Sequence, residues 1–203
     1  MLLSSCGNKT LKETESFQQI TLDNIPSSAE VKCTSEGVIE TIEGNFVDFK
    51  INNEDDAFRV IASVSALMHC SDINSELRLD NVFKSPANIV YYYRQYYNNL
   101  PVAGYPVSLF VNSKTNEVRR LKNGYVPDIS LNTTPTFSEE DLKKLVSEKY
   151  KAEIEGEPKL KISFAYGNVP SLVWGVDINN DMVYFIVVDA ADGKVLEETV
   201  TKD

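Results

Sequence analysis

The chain has 203 residues, of which 42% are hydrophobic, so its length and composition suit one large or two small globular domains. Its formal net charge of −10 at pH 7 argues against nucleic acid or an anionic lipid surface as the main partner, because both favour a basic protein surface. The sequence contains no run of about 20 apolar residues, which is the length that a membrane-spanning helix requires.

The N-terminus carries the first motif. Residues 3–7 read LSSCG, which resembles the bacterial lipobox, whose cysteine receives a lipid after the signal is cleaved. The resemblance implies lipid attachment at Cys6 and an extracytoplasmic protein, either secreted or held on the cell surface by this anchor alone. A complete lipoprotein signal has basic and longer apolar segments before the box, whereas only Met1 and Leu2 precede it here. Either the true start lies upstream, or the N-terminus has been trimmed, or the match arises by chance.

The two other cysteines, Cys33 and Cys70, leave two alternatives open. In an exported protein they could form a disulfide, which would stabilise the fold by roughly 3–4 kcal/mol. They could equally be two separate buried thiols. The single histidine, His69, has no second histidine or C-x-x-C pair to complete a ligand set, so the sequence predicts no metal site and no cofactor.

The first structured region begins with strand and helix signals. Residues 36–42 and 45–51 are predicted to form two short strands. Asn53 can cap a helix whose first turn is acidic. Apolar residues then repeat at helical spacing along residues 57–68, which predicts an amphipathic helix that packs against a sheet.

An aromatic segment follows over residues 88–112, where five of the ten tyrosines fall between Tyr91 and Tyr97. Aromatic and β-branched residues favour strands, and the turn sequence Asn-Asn-Leu-Pro at residues 98–101 interrupts them. The pattern predicts a long antiparallel hairpin with an aromatic face. One set of its alternating residues must face the helix, and the other set could face solvent or a partner.

The second half begins at a helix signal. Ser138 as the N-cap and Asp141 three residues later predict a capping box. Phe137 and Leu142 flank that cap and predict a hydrophobic staple. Three strands with alternating apolar residues follow, and an Asp-Gly turn leads into a fourth strand. Asp189, at the start of this turn, is predicted to accept turn hydrogen bonds.

Both halves contain sequence resemblances to protease prosegments. Residues 184–195, YFIVVDAADGKV, resemble the strand and turn of a PepSY domain. Residues 37–44, GVIETIEG, and residues 95–104, QYYNNLPVAG, resemble the propeptide domain of fungalysin and thermolysin-type proteases. The order of the two resemblances is that of thermolysin-type proenzymes, but the zinc-protease motif H-E-x-x-H is absent from the sequence. The chain therefore looks like a free-standing prosegment.

These observations predict an α+β fold of two cystatin-like modules, each an antiparallel sheet packed on one helix. The predicted organisation has four parts: an anchor and tether at residues 1–16, a propeptide-like domain at 17–122, a linker at 123–136 and a PepSY-like domain at 137–203.

The resemblance implies a non-catalytic protein, because in the relatives the prosegment inhibits the attached protease and assists its folding. The expected partner is a secreted protease, on which the prosegment would act in trans. An alternative is a cell-envelope adhesion or scaffold module that binds peptide or glycan. The candidate binding residues lie on the hairpin and on the last strand: Tyr91, Tyr93, Gln95, Tyr97, Glu197, Glu198 and Thr199.

A catalytic role finds little support in the residues. Nucleophilic catalysis by Ser or Cys requires a general base, and His69 beside Cys70 is the only Cys–His neighbour pair. Adjacent residues on a helix point about 100° apart, which prevents a direct hydrogen bond between their side chains. No catalytic residue is predicted, and the chain is not expected to be an enzyme.

Overall fold

The computed structural model describes residues 19–166 and 169–200. This part of the chain is an α+β structure with helices α1 (Glu54–Ser63), α2 (Ile73–Glu76) and α3 (Glu139–Tyr150), and 3-10 helices at Leu22–Asn24 and Ser65–Met68. The strands are β1 (Glu30–Cys33), β2 (Ile39–Glu43), β3 (Leu77–Lys84), β4 (Asn88–Tyr97), β5 (Leu100–Ala103), β6 (Val107–Asn112), β7 (Val118–Lys122), β8 (Ile154–Ser163), β9 (Ser171–Ile178), β10 (Val183–Asp189) and β11 (Val195–Val200). Within these residues, every helix is too short or too polar to cross a membrane.

All these strands join in one mixed sheet of eleven strands. The order is β1-β2-β7-β6-β4-β5-β8-β9-β10-β11, and β3 pairs with the second edge of β4. We call β1, β2, β7, β6, β4 and β3 the first sheet region, and β8 to β11 the second sheet region. Pairing within each region is antiparallel, whereas β5 and β8 pair in parallel through Val102 and Ala103. The short strand β5 therefore joins the two regions.

The predicted antiparallel hairpin is confirmed, although its second arm is divided into the two strands β5 and β6. Residues 88–93 of β4 pair with β6, as expected for a long antiparallel hairpin, but Tyr96 and Tyr97 pair with the separate strand β5. The turn between β4 and β5 is made by Asn98 and Asn99, whose φ angles are +48° and +66°. Asparagine adopts this left-handed conformation more readily than most residues, so the pair can form a tight turn that redirects the chain toward β8.

Helix α1 covers one face of the first sheet region. The predicted cap is confirmed, because the Asn53 side chain accepts a hydrogen bond from the Asp56 amide at 2.9 Å. The α-helix ends at Ser63, and the remaining apolar residues of the predicted helix continue as the 3-10 helix Ser65–Met68. Five buried side chains of this helical segment form the first hydrophobic core with the inner face of the sheet: Ala57, Val60, Ile61, Val64 and Met68.

The predicted strand at residues 45–51 is wrong. Phe46 and Ile51 are buried, as a strand prediction requires, but the backbone between them is irregular. The Ile51 amide donates to the carbonyl of Asn116 in the β6–β7 turn at 2.8 Å, outside any strand ladder. The upstream strand β1 is the partner of β2 instead.

Helix α3 covers the second sheet region. The predicted capping box is confirmed, with the Ser138 Oγ accepting from the Asp141 amide and the Asp141 carboxylate accepting from the Ser138 amide, both at 3.1 Å. Leu142 and Val146 on the helix are fully buried in the second hydrophobic core. Phe137, the other half of the predicted staple, packs against the same core.

The turn between β10 and β11 holds the beginning of α3 in place. Asp189 accepts from the Ala191 amide at 2.7 Å, which confirms the predicted turn hydrogen bond. The carbonyl of Ala190 accepts from the amides of Thr136 and Phe137 at 3.0 and 2.9 Å. The Trp174 indole donates to the Phe137 carbonyl at 3.0 Å, so the turn, the helix start and strand β9 form one hydrogen-bonded unit.

Residues 123–136 contain no helix or strand. Their path is determined by the buried side chain of Gln95, which donates to the Val126 carbonyl at 2.8 Å and accepts from the Val126 amide at 2.9 Å. Tyr125 is buried in the first core, whereas Ile129 and Leu131 pack on the second. The segment therefore crosses from one core to the other, while the predicted domain boundaries remain a prediction.

Candidate functional site

The structure buries three of the four hairpin residues that were predicted to form a binding surface. Tyr91, Tyr93 and Gln95 are 4%, 2% and 7% exposed, so the predicted surface is wrong for these residues. Tyr97 is half-buried and packs against the second core. The side chains of Tyr93 and Gln95 therefore stabilise the fold, and Tyr91 presents only a small part of its surface, in the cleft beside the start of α1.

Packing against α1 explains this burial. The ring of Tyr93 lies 5.8 Å from the ring of Phe58, and its hydroxyl donates to the Glu54 carbonyl at 3.4 Å. Burial raises the pKa of Tyr93 far above its usual value. Because side chains alternate along a strand, the set that faces solvent on β4 is the opposite one, Tyr92, Arg94 and Tyr96.

Strand β11, which carries the other predicted residues, forms one edge of the sheet. It pairs with β10 along one side, and no described strand pairs with its other side. Glu197 lies opposite Val187, and Glu198 lies opposite the fully buried Ile186. The two carboxylates therefore point to opposite faces of the sheet, with Glu198 on the face covered by α3.

Both carboxylates of β11 already have partners within the chain. Glu198 accepts hydrogen bonds from Lys149 at 2.9 Å and from the Tyr150 hydroxyl at 2.6 Å, and these contacts lower the pKa of Glu198, the one from Tyr150 most. Glu197 accepts from the Tyr166 hydroxyl at 2.5 Å. Burial, followed by this hydrogen bond, raises the pKa of Tyr166 to about 12. Thr199, next along the strand, pairs with Phe185.

The structure also tests the cysteine alternatives. Cys33 is exposed on β1 and Cys70 is buried after the second 3-10 helix, and both are free thiols. Of the two alternatives, the structure therefore has separate thiols, of which only Cys70 is buried. Burial raises the pKa of Cys70 to about 11. His69 is exposed and has a φ of +56°, so the two members of the Cys–His neighbour pair occupy different environments. Cys6, the predicted lipid site, lies outside the described residues.

Two open clefts flank α1. The first has a volume of about 650 Å³ and lies between the start of α1 and strands β3 and β4, where Glu54, Lys84 and Tyr91 contribute to its wall. The second has a volume of about 970 Å³ and lies between the segment around Gln19 and the other side of α1. Within residues 19–166 and 169–200, no three side chains of the His, Cys, Asp or Glu type come together as a metal site would require.

A polar contact near the linker was missed by sequence reasoning. The Tyr125 hydroxyl donates to the Glu76 carboxylate, close to the thiol of Cys70. Burial and this hydrogen bond raise the pKa of Tyr125. No short-range pattern joins these residues, because the linker brings Tyr125 back from a distance of 49 positions. Together with Gln95, this contact anchors the linker to the first sheet region.

The fold and these surfaces define an α+β protein with helix-covered sheet regions, in which β1, β3 and β11 are edge strands among the described residues. No protein-family model matches the chain, and no curated protein sequence matches it. Among solved structures, the Bacillus megaterium YpeB C-terminal domain is weakly similar, with a TM-score of 0.40 and 12% sequence identity over 81% of this chain and 73% of that one. A similarity of this size supports no inference about function.

Proposed function

We propose that this chain is a non-catalytic, exported, prosegment-like protein that binds a secreted protease in trans, as an inhibitor or a folding helper. The sequence support is the ordered pair of resemblances, to a thermolysin-type propeptide domain and then to a PepSY domain at residues 184–195. In this proposal each half is a cystatin-like module, in which one helix, α1 or α3, covers an antiparallel sheet region.

The observation that carries the proposal is the free edge of β11. An unpaired edge presents backbone N–H and C=O groups to which an extended segment of another protein can add as a further strand. The β11 carboxylates that were predicted to bind have internal partners, Tyr166 for Glu197 and Lys149 with Tyr150 for Glu198. The backbone edge is therefore the part of β11 that remains available to a protease.

Inhibition of a thermolysin-type metalloprotease, measured with a fluorogenic peptide substrate, tests this mechanism. Successive residues of a strand direct their backbone N–H groups to opposite edges of the strand. One of the variants T199P and V200P therefore removes a backbone N–H group that points away from β10, toward the unpaired edge. We expect that variant to weaken inhibition by about tenfold or more, since a proline also obstructs strand addition. Fluorescence of the buried Trp174, the single tryptophan, monitors folding of the second core.

The matched controls are V31P and K32P on β1, the opposite edge of the sheet. These variants place the same obstruction on an edge that the proposal does not use, and they should inhibit like the parent chain. If both β11 variants inhibit fully while folded, strand addition at β11 is not the mechanism. If the parent chain neither inhibits the protease nor raises its refolding yield, the proposed function is wrong.

We also propose that Cys6 is lipidated and holds the protein at the cell surface. The support is the LSSCG motif at residues 3–7. Expression in a bacterium fed with labelled palmitate should label the parent chain when an intact signal precedes the motif, and C6S should abolish the label. An equally labelled C6S variant would show that the lipid is attached elsewhere.

A further inference from the structure

The outer face of the first sheet region concentrates the arginines of this acidic protein. The chain has five arginines, of which Arg59 lies on α1 and none lies in the second half. The other four are on strands β3, β4 and β7, together with one lysine and a phenylalanine from β6. We call this surface the cation–aromatic face and define it by Arg78, Arg94, Phe110, Arg119, Arg120 and Lys122.

The strand register brings these side chains together. On β4, Tyr91 and Tyr93 point into the first core, so Arg94 and Tyr96 point to the outer face. On β7, the register shifts where Phe110 pairs with Arg120 and Val111 pairs with Val118. The skipped residue is Arg119. This bulge leaves both neighbouring arginines exposed around Phe110, although side chains in a regular strand would alternate.

Contacts with neutral groups hold several of these cations in place. The Arg78 guanidinium lies 4.1 Å from the centre of the Tyr96 ring and donates to Asn99 at 2.7 Å. Arg119 donates to Asn88 at 3.1 Å. The Lys122 ammonium lies 5.9 Å from the ring of Tyr105, which is 84% exposed. Side chains ordered in this way lose less conformational entropy when a ligand binds.

The charge of this face is opposite to that of the whole protein. Arg94 pairs with Asp80 at 2.6 Å and Arg120 with Glu43 at 2.5 Å. Among the described residues, these are the carboxylates that contact the five cations, so the face retains a net charge of +3 in a chain of charge −10. The cations Arg78, Arg119 and Lys122 have no described carboxylate within 4.0 Å, and they are available to an acidic partner.

The side-chain chemistry favours a protein partner over other anions. Arginine and aromatic residues are enriched at protein interfaces, where the planar guanidinium can bind a carboxylate through two hydrogen bonds. Guanidinium groups lie over Tyr96 and, with Arg120 at 5.5 Å, over Phe110, so these two rings have one face less for a sugar to stack on. Anionic membranes and nucleic acids are opposed by the charge of the whole chain.

We propose that the cation–aromatic face docks an acidic segment of a partner protein. Its carboxylates would bind Arg78, Arg119 and Lys122, and its apolar side chains would pack on Phe110 and the exposed Phe83, which borders the face at 54% exposure. This surface lies on the first sheet region and the β11 edge lies at the far end of the second, so the proposal does not depend on the partner being a protease.

The probe is a fluorescein-labelled peptide in which Glu and Leu alternate, titrated with the parent chain at low salt. A peptide with Gln in place of every Glu serves as its neutral counterpart. We expect the acidic peptide to bind and the neutral one not to bind. The double charge reversal R119E/K122E should weaken binding by about tenfold or more, because it replaces two unpaired cations with repelling charges.

The control is K159E/K194E, which changes the net charge equally at two exposed lysines of the second half. It should reduce binding less than threefold, and far-UV circular dichroism checks that both variants fold. If both variants lose the same peptide affinity, the proposal is overturned, because net charge alone would then determine binding. Binding to heparin or phosphatidylglycerol vesicles but not to the acidic peptide would also overturn it, as would a parent dimer that R119E/K122E dissociates, since that would assign the face to a second copy.

Discussion

Replacement of Gly193 by alanine should destabilise the second core, because the added methyl group would collide with the ring of Phe137. Gly193 has a φ of +78°, and a Cβ atom there would lie 2.7 Å from both Cδ2 and Cζ of Phe137. The left-handed conformation costs a residue with a Cβ atom about 1–2 kcal/mol. Displacement of a packed ring adds about 1–3 kcal/mol. We therefore expect G193A to lose roughly 2–5 kcal/mol of unfolding free energy.

The control G156A separates these two contributions. Gly156 in β8 has a similar φ of +72°, but a Cβ atom there would meet nothing within 4 Å. G156A should therefore lose only the conformational part, about 1–2 kcal/mol. Urea unfolding followed by Trp174 fluorescence measures both variants, because the indole is buried and hydrogen-bonded to Phe137.

A double-mutant cycle completes the test. The F137A variant lacks the ring, so adding G193A to it should reduce the unfolding free energy only by the amount that G156A does in the parent chain. Equal losses for G193A and G156A in the parent chain would refute the reasoning. A G193A loss that stays unchanged in the F137A background would also refute it, because the collision with the ring could then not be its cause.

Three further predictions concern contacts in both halves. Q95L should lose roughly 2–4 kcal/mol in urea unfolding, because the Val126 amide and carbonyl lose their buried partner; a loss below about 0.5 kcal/mol would contradict this. In a C6S background, Cys33 should react with Ellman's reagent in the folded protein, and Cys70 only after unfolding. If two thiols per chain react rapidly in the folded protein, Cys70 is not buried. The pKa of Glu198 is lowered in the folded state, so its ionised carboxylate stabilises the fold above its ordinary pKa of 4.5, and this stability is lost as the pH falls through the lower folded pKa. The melting temperature of E198Q should therefore fall less on acidification than that of the parent chain. An equal fall would contradict the prediction.

Local signals predicted the elements that depend on short-range physics. The caps at Asn53 and Ser138 and the turn bond at Asp189 were predicted because each involves neighbours within a few positions. The alternation of the aromatic segment was also predicted, since two faces of a strand follow from its geometry. Which face would be buried depended on the distant helix α1, and the sequence left that choice open.

The errors arose where distant backbone partners decide the outcome. Residues 45–51 have the composition of a strand, yet the amide of Ile51 bonds to a turn 65 positions away and not to a ladder. The link through β5 requires Val102 to meet Ile162, a pairing that no local pattern encodes. The cation–aromatic face depends on a bulge at Arg119, which is visible only once β6 and β7 are aligned.

The four-residue strand β5 also affects how the protein is made. Ile162, which pairs with Val102 of β5, is synthesised 60 residues later. Until then, β5 in the nascent chain has no β8 strand to pair with. During that interval β8 from a neighbouring copy offers the same hydrogen bonds as the correct one. Any exchange of second halves between two copies would have to break and remake the hydrogen bonds between β5 and β8, because this strand pairing joins the two sheet regions.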